Sequence, residues 1–359
     1  MTALDDRATG GLEAAGGFRS NALARESVGR IPRRVLRRIL LVGLVGTATL
    51  TLQQWLGDVT VYQPINRTKA EVLHTSILAN QPPAGLAWDS LGANGTNIRV
   101  GAVFLAESVH RVLGLSVPRT YLLLDSIFLA LGLLLFVRFL ATWFRDEYVL
   151  LGTLYLIAVL PLTYFLVSYH PWDRLSFAFW VMMLLALRTN SVLVFALLLP
   201  LSVAIKYDTV LLPGLYFLAN VDAANWRRTT LTTAGLFVLS FGTFFGLLML
   251  RPGGFAEHSV AQQVAENFAH MREYSLWYPP LLAFGVPLLL AGIGFRHANR
   301  FMRACAVFGV LLFVPLFLQA YFAEFRAQVP MLLLLLPCAL RGAEVLLTPD
   351  SVARNAVAS

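Results

Sequence analysis

Ten apolar runs, each set off by a short polar or charged connection, constrain this chain more than any other feature. They lie at about 39–57, 120–143, 148–168, 174–188, 191–206, 208–220, 230–250, 277–295, 301–320 and 328–345. A bilayer core of about 30 Å takes roughly 20 residues of α-helix at 1.5 Å rise per residue. The runs predict an all-α fold: a polytopic integral membrane helical bundle of about ten transmembrane helices (9–11). Three runs, 174–188, 191–206 and 208–220, are shorter than 17 residues and predict tilted, broken or partly re-entrant helices.

Composition supports this reading. Only 13% of residues are charged and 57% are hydrophobic, against about 25% charged in an average soluble domain. That excludes a disordered chain, a collagen-like chain and a soluble enzyme with a solvated shell. Cys305 and Cys338, the only cysteines, lie in apolar runs with no His or Cys at ligand spacing, so they read as small core residues. No cofactor is indicated; a divalent metal is compatible with phosphate chemistry, but no ligand spacing calls for one. The net charge of +8 fits cytoplasmic loops that collect arginine, and no nucleic-acid partner is expected.

Sidedness follows from the arginines. Residues 1–38, with eight arginines and four acids, form an Arg-rich tail whose last basic run (Arg30, Arg33, Arg34, Arg37, Arg38) abuts the first span. Positive charge beside a span marks the cytoplasmic side, so the N-terminus is expected inside. The transmembrane domain is expected over 39–345, and 346–359 is a second cytoplasmic tail. Residues 58–117 form a long first outer loop with interfacial helices, because 58–98 contains no apolar window. The segment 99–117 places Glu107, His110 and Arg111 at helical spacing and reads as an amphipathic helix at the interface. Counting it as a span would move most basic clusters outside. A second outer loop, 251–276, is long enough for a short helix.

With this parity, ionisable groups gather on the outer face, where charges beside spans usually line a cavity. Lys206-Tyr207-Asp208 interrupts two apolar runs and holds one of only two lysines in the chain. It reads as an ammonium that binds phosphate beside an acid, or as a helix-end pair reaching the interface. Tyr169-His170-Pro171-Trp172-Asp173-Arg174 combines titratable and aromatic groups in one turn. His170 or Asp173 suits proton transfer, and the same residues suit an interfacial anchor. Glu324-Phe325-Arg326 supplies a guanidinium for a phosphate with an acid to orient it, or a structural hairpin pair. In the first outer loop, Asp58 and Asp89 are candidate general bases and Arg99 a candidate grip on an anionic donor.

These residues resemble, in their layout over about 40–345, the GT-C class of membrane glycosyltransferases. That class has an inside N-terminus, eight or more helices and a long first outer loop with acidic residues. The chain also resembles bacterial polysaccharide-assembly membrane proteins, in which an Arg begins the helix after the first loop and a Glu-x-Arg precedes the last span. The matching positions are Arg99 and Glu324-Phe325-Arg326. Paired acids early in the loop are absent, since Val59 follows Asp58, and no bulky C-terminal domain follows.

The resemblance implies transfer of a sugar from a polyprenyl-phosphate-linked donor to a cell-envelope glycan or lipid acceptor, in the bacterial inner membrane. The catalytic acids would be Asp58 and Asp89. Arg99, Lys206, Asp208, His170, Asp173, Glu324 and Arg326 would bind substrate. The partners would be the lipid bilayer, the lipid-linked sugar and the acceptor, with the oligomeric state open. The alternatives are a polysaccharide polymerase or ligase of exopolysaccharide or O-antigen assembly, and a transporter or flippase of lipid-linked saccharide.

Overall fold

A computed structural model describes residues 33–57, 63–82, 96–164, 170–251, 260–320, 322 and 324–347. Those residues are helical, with no strand among them. The helices are α1 (Arg33–Gly57), α2 (Gln63–Ala79), α3 (Val100–Leu113), α4 (Val117–Leu140), α5 (Asp146–Val159), α6 (Asp173–Arg188) and α7 (Val192–Ile205). They continue with α8 (Leu212–Asn220), α9 (Trp226–Leu250), α10 (Val260–His270), α11 (Tyr278–Phe295), α12 (Arg300–Gln319) and α13 (Phe325–Leu347). Short 3-10 turns occupy Thr96–Ile98, Leu160–Tyr164, Tyr207–Leu211 and Tyr274–Trp277.

Seven helical segments are long and apolar enough to cross a bilayer: Val35–Leu52, Val117–Leu140, Asp146–Thr163, Trp226–Leu250, Tyr274–Phe295, Arg300–Leu318 and Phe325–Leu347. This is a helical membrane protein of several spans. The three short apolar runs become α6, α7 and α8, of 16, 14 and 9 residues. None reaches the length of the seven, which is where the structure stops short of the expected ten.

The core sits around α13. Its candidate span is 83% buried, against 17% for that of α9, so α13 is the central post and α9 a peripheral helix. α13 approaches α11 backbone to backbone at Gly294 and Gly342. A Cβ added at Gly342 would lie 2.0 Å from the Leu290 carbonyl, and one at Gly294 would lie 2.0 Å from that of Cys338. Leu332 to Leu336, Cys338 and Ala339 fill the remaining sides.

Tertiary contacts fix the helix directions. Gly132 of α4 lies against Phe177 and Ala178 of α6, and Arg188 Nε donates to Thr142 Oγ1 just beyond the end of α4 at 3.3 Å. These helices therefore run parallel. α7 returns antiparallel to α6, bringing Lys206 back to Asp173. α8 then descends to Asp222, which faces Arg300 at the start of α12 at 3.9 Å. The starts of α6 and α13 and the end of α7 meet at one end of the bundle. The ends of α4, α6 and α8 and the start of α12 meet at the other.

α3 lies over the first of these ends. Its buried face (Val100, Ala102, Val103, Ala106) covers the start of α4 and the end of α7. Gly101 allows the close approach, since a Cβ there would stand 3.2 Å from the Ala204 carbonyl. α3 stops at Gly114 in the left-handed conformation (φ 63°), which glycine adopts without strain.

Candidate functional site

The site begins with a break in a helix. Lys206 ends α7 in extended geometry (φ −157°, ψ 119°), so the next residues cannot continue its hydrogen bonding. Thr209 Oγ1 donates to the freed Lys206 carbonyl at 3.1 Å, and the amide of Lys206 still donates to Ser202 O at 2.8 Å. A break in apolar surroundings survives only when its backbone groups are satisfied in this way. It turns the ammonium inward, toward the first turn of α6.

Asp173 is the hub of the charged groups at this end of the bundle. Its Oδ1 lies 3.3 Å from Lys206 Nζ and its Oδ2 lies 3.6 Å from Arg326 Nη1. Lys206 Nζ is also 3.5 Å from Asp208 Oδ2. Asp208 Oδ1 accepts from Trp180 Nε1 at 3.3 Å. Arg326 is paired through Nη2 with Glu324 Oε1. Arg174 Nη2 donates to Thr163 Oγ1 at 2.9 Å. The side chains of Lys206, Asp173, Asp208 and Arg326 are only 10–14% exposed. The helices bring charge into an apolar interior, where each group is costly unless another compensates it.

Arg99 differs from Lys206 and Arg326. It is buried, yet it has no carboxylate partner among the described residues. Its guanidinium lies 4.5 Å from the Trp172 ring centre and 5.5 Å from that of Tyr207. Its Nε and Nη1 are buried without a hydrogen-bond partner among the described residues. His170 stands beside the other side of this group, 5.3 Å from Trp172 ring to ring. Four cations (Arg99, Arg174, Lys206, Arg326) thus share one end of the bundle with three carboxylates (Asp173, Asp208, Glu324). The cluster holds one more cation than carboxylate, and Arg99 is the cation with two buried donors, Nε and Nη1, that lack a hydrogen-bond partner among the described residues.

A small cavity of about 10 Å³ lies between Asp173, Arg174, Lys206 and Arg326, room for about one water molecule. The charged groups therefore sit close together, with little free room between them. Among the described residues, the unpartnered donors of Arg99 are open to an anion without breaking a carboxylate contact.

The connection before α13 is held by α10 of the expected 251–276 loop. Asn267 Nδ2 donates to Phe317 O and Ala320 O at 2.6 and 2.9 Å, and Asn267 Oδ1 accepts from Phe322 N at 2.7 Å. Gln328 Nε2 donates to Phe322 O. This buried amide sets the turn from which Glu324 and Arg326 project.

Of the expected site residues, Asp173, Lys206, Asp208, Glu324 and Arg326 form one ion-paired group, with Arg99 and His170 at its aromatic edge. The candidate acids Asp58 and Asp89 lie outside the described residues. Asp173 pairs with Lys206 and Arg326, on other helices, while its sequence neighbour Arg174 turns to Thr163.

Two residues escape sequence reasoning. Arg174 reads there only as a neighbour of Asp173. Asp125 does not stand out either, although it is the one acid inside the apolar run 120–143, and that isolation is the available signal. It is buried on the face of α4 that carries Gly132 against α6. Among the described residues no group of three or more His, Cys, Asp or Glu is arranged to hold a metal ion. No family model, no curated protein and no solved structure matches the chain.

Proposed function

We propose that this protein is a GT-C-like membrane glycosyltransferase that takes its sugar from a polyprenyl-phosphate-linked donor on the outer face of a bacterial inner membrane. The observation that carries this reading is the buried charge cluster with the unpartnered donors of Arg99 at its edge. A lipid-linked phosphate reaches such a place from within the bilayer, and a group held by aromatic rings with free donors suits an anion. In this reading α6, α7 and α8 complete ten crossings, with α1 entering from the cytoplasm and the charge cluster outside.

The chemistry asks for little more. An acceptor hydroxyl oxygen attacks the anomeric carbon while the bond from that carbon to the phosphate oxygen breaks. The lipid phosphate leaves with the electron pair. Arg99, Lys206 and Arg326 stabilise the charge that develops on it, and Asp173 and Glu324 hold the last two in place. The acceptor proton goes to a carboxylate, a role for Asp58 or Asp89 of the first outer loop. Phosphate binding exchanges carboxylate contacts of Lys206 and Arg326 for phosphate ones, so little charge is newly desolvated.

A transporter of lipid-linked saccharide is the second reading, favoured by the helix break at Lys206, since broken helices line substrate sites in transporters. One experiment separates the two: remove the gene and analyse envelope glycan and extracted lipids. Transferase activity predicts a build-up of polyprenyl-phosphate sugar and a glycan lacking one residue, restored by the wild-type gene but not by Arg99→Ala or Arg326→Ala. Accumulation of a complete lipid-linked saccharide instead identifies the transporter, and an unchanged profile refutes both.

A further inference from the structure

The connection between α9 and α11 grips two other segments, and each of them leads into a cation of the charge cluster. Arg251, just past α9, reaches the segment before Arg99. Asn97 Nδ2 donates to Arg251 O at 2.9 Å, and Arg251 Nη1 donates back to Asn97 O at 3.4 Å and to Ile77 O of α2. The Arg251 guanidinium also lies 5.7 Å from the Phe104 ring centre on α3. α10 of the same connection reaches the segment before Arg326. Asn267, fully buried, spends both amide N–H donors on Phe317 O and Ala320 O and accepts from Phe322 N. Gln328 Nε2 of α13 holds the Phe322 carbonyl, and the Trp277 ring meets that of Phe322 edge-on at 4.6 Å.

These contacts bear on the cations through short stretches of backbone. Arg99 follows Asn97 by two residues, directly after the 3-10 turn Thr96–Ile98. Its Nε and Nη1 make no hydrogen bond among the described residues, so its place depends on Trp172, Tyr207 and the course of the chain through 97–99. Glu324 and Arg326 follow Phe322 by two and four residues. With Phe322 held at its amide by α10 and at its carbonyl by α13, the turn has little freedom left. Lys206 and Arg174, by contrast, are placed by α7 and α6 themselves. A displacement of about 1 Å in a positioned group can cost about 10²-fold in rate, so small shifts at these two segments matter to whatever the cations hold.

We propose that Arg251 and Asn267 are positioning residues for the charge cluster: one connection sets Arg99 from one side and Arg326 from the other, and so fixes the spacing at which the two cations receive an anion. The inference rests on the reading of the cluster as a polyprenyl-phosphate site. Neither residue touches the phosphate. Arg251 acts through Asn97 on Arg99, and Asn267 acts through Phe322 on Glu324 and Arg326. Contacts that served stability alone would change the folded fraction and leave the affinity of the folded protein as it was. Positioning contacts lower that affinity, and the loss depends on the cation they position.

The test uses the full chain in lipid nanodiscs with a synthetic polyprenyl phosphate as probe. Nitrogen NMR signals of the arginine Nε–H groups, assigned with Arg99→Lys and Arg326→Lys, report each cation without any ligand. Asn267→Ala is expected to shift the Arg326 signal, and Asn97→Ala and Arg251→Ala that of Arg99. Each variant is expected to lower affinity for the probe by roughly tenfold. In double-mutant cycles Asn267→Ala should add little to Arg326→Lys, and Asn97→Ala little to Arg99→Lys. Asn299→Ala removes the cap of α12 at the opposite end of the bundle and leaves signals and affinity unchanged. Arg251→Ala, at a half-buried position, keeps the test decisive if the buried Asn267 variant does not fold. Unshifted arginine signals, full affinity in the variants, or additive losses in the cycles overturn the proposal. Shifted signals in a protein whose wild type binds no polyprenyl phosphate refute the phosphate reading instead, while the positioning stands.

Discussion

The two ends of the bundle handle positive charge differently, although the second also holds one largely buried pair, Arg341 with Glu344. At the end bearing α3, the cations Arg99, Lys206 and Arg326 are buried, and a carboxylate, Asp173, bridges two of them. At the other end, Arg145, Arg227, Arg228, Arg296, Arg300 and Arg303 are exposed. There several arginines lie over aromatic rings: Arg188 over Trp143 at 4.9 Å, Arg341 over Phe144 at 5.3 Å and Arg227 over Trp226 at 5.5 Å. The ion pair Asp222–Arg300 is nearly half exposed on both partners. Exposed and half-buried arginines, some of them over rings, anchor a helical bundle at a membrane surface. Buried cations tied to carboxylates are a costly arrangement, and an arrangement of that kind marks a site.

The comparison is broken most directly at Asp173. Asp173→Ala leaves Lys206 and Arg326 buried without their shared carboxylate, and breaking a buried pair costs about 3–5 kcal/mol. Denaturant unfolding in detergent should show a loss of that size, whereas Asp222→Ala at the opposite end should cost less than about 1 kcal/mol. Similar losses from both substitutions would remove the distinction between the ends.

The next contrast concerns binding. Arg99→Lys keeps the charge but gives up the planar group that stacks between Trp172 and Tyr207. Its affinity for a polyprenyl phosphate, measured by competition in nanodiscs, should fall by about tenfold, or about 1.4 kcal/mol. Arg188→Lys, which lies over Trp143 at the anchoring end, should leave that affinity unchanged.

The smallest effect is a pH dependence in the cap formed by α2 and α3. The hydrogen bond from His74, reinforced by Arg111, holds the Glu107 carboxyl below the usual carboxylate range. A carboxyl lowered in the folded state stabilises it above its unfolded value, and that contribution is lost as pH falls through the folded value. The wild type should therefore exceed Glu107→Gln in thermal stability near neutrality, and the two should converge in acid below the ordinary glutamate range. A constant gap down to strong acid would show that the contact works through packing alone.

Legibility in the sequence varies from one residue to the next. The Lys206-Tyr207-Asp208 break stands out because charge interrupts an apolar run, and Glu324-Phe325-Arg326 stands out for the same reason. The helical character of 99–117 is legible from polar residues recurring on one face. Asp125 is easily passed over because a single acid barely disturbs the hydropathy of a 24-residue helix. The partnership of Asp173 with Lys206 and Arg326 is equally hidden, since three helices supply the groups and sequence proximity points to Arg174 instead. The short runs that become α6, α7 and α8 can be located, but their length alone does not tell how they pack.

The amino-acid sequence by itself determined that the chain is a helical membrane protein with arginine gathered toward one side. Bilayer thickness, backbone hydrogen bonding and the penalty for buried charge act on local composition, and local composition is written in the chain. Only the tertiary structure decided which charges meet. It bridged two cations with Asp173, left Arg99 between two rings and joined His74 to Tyr121 and Glu107. Those pairings depend on helix direction, register and close approach at glycines such as Gly101 and Gly132. These are set by packing between segments far apart in sequence, so no local pattern encodes them.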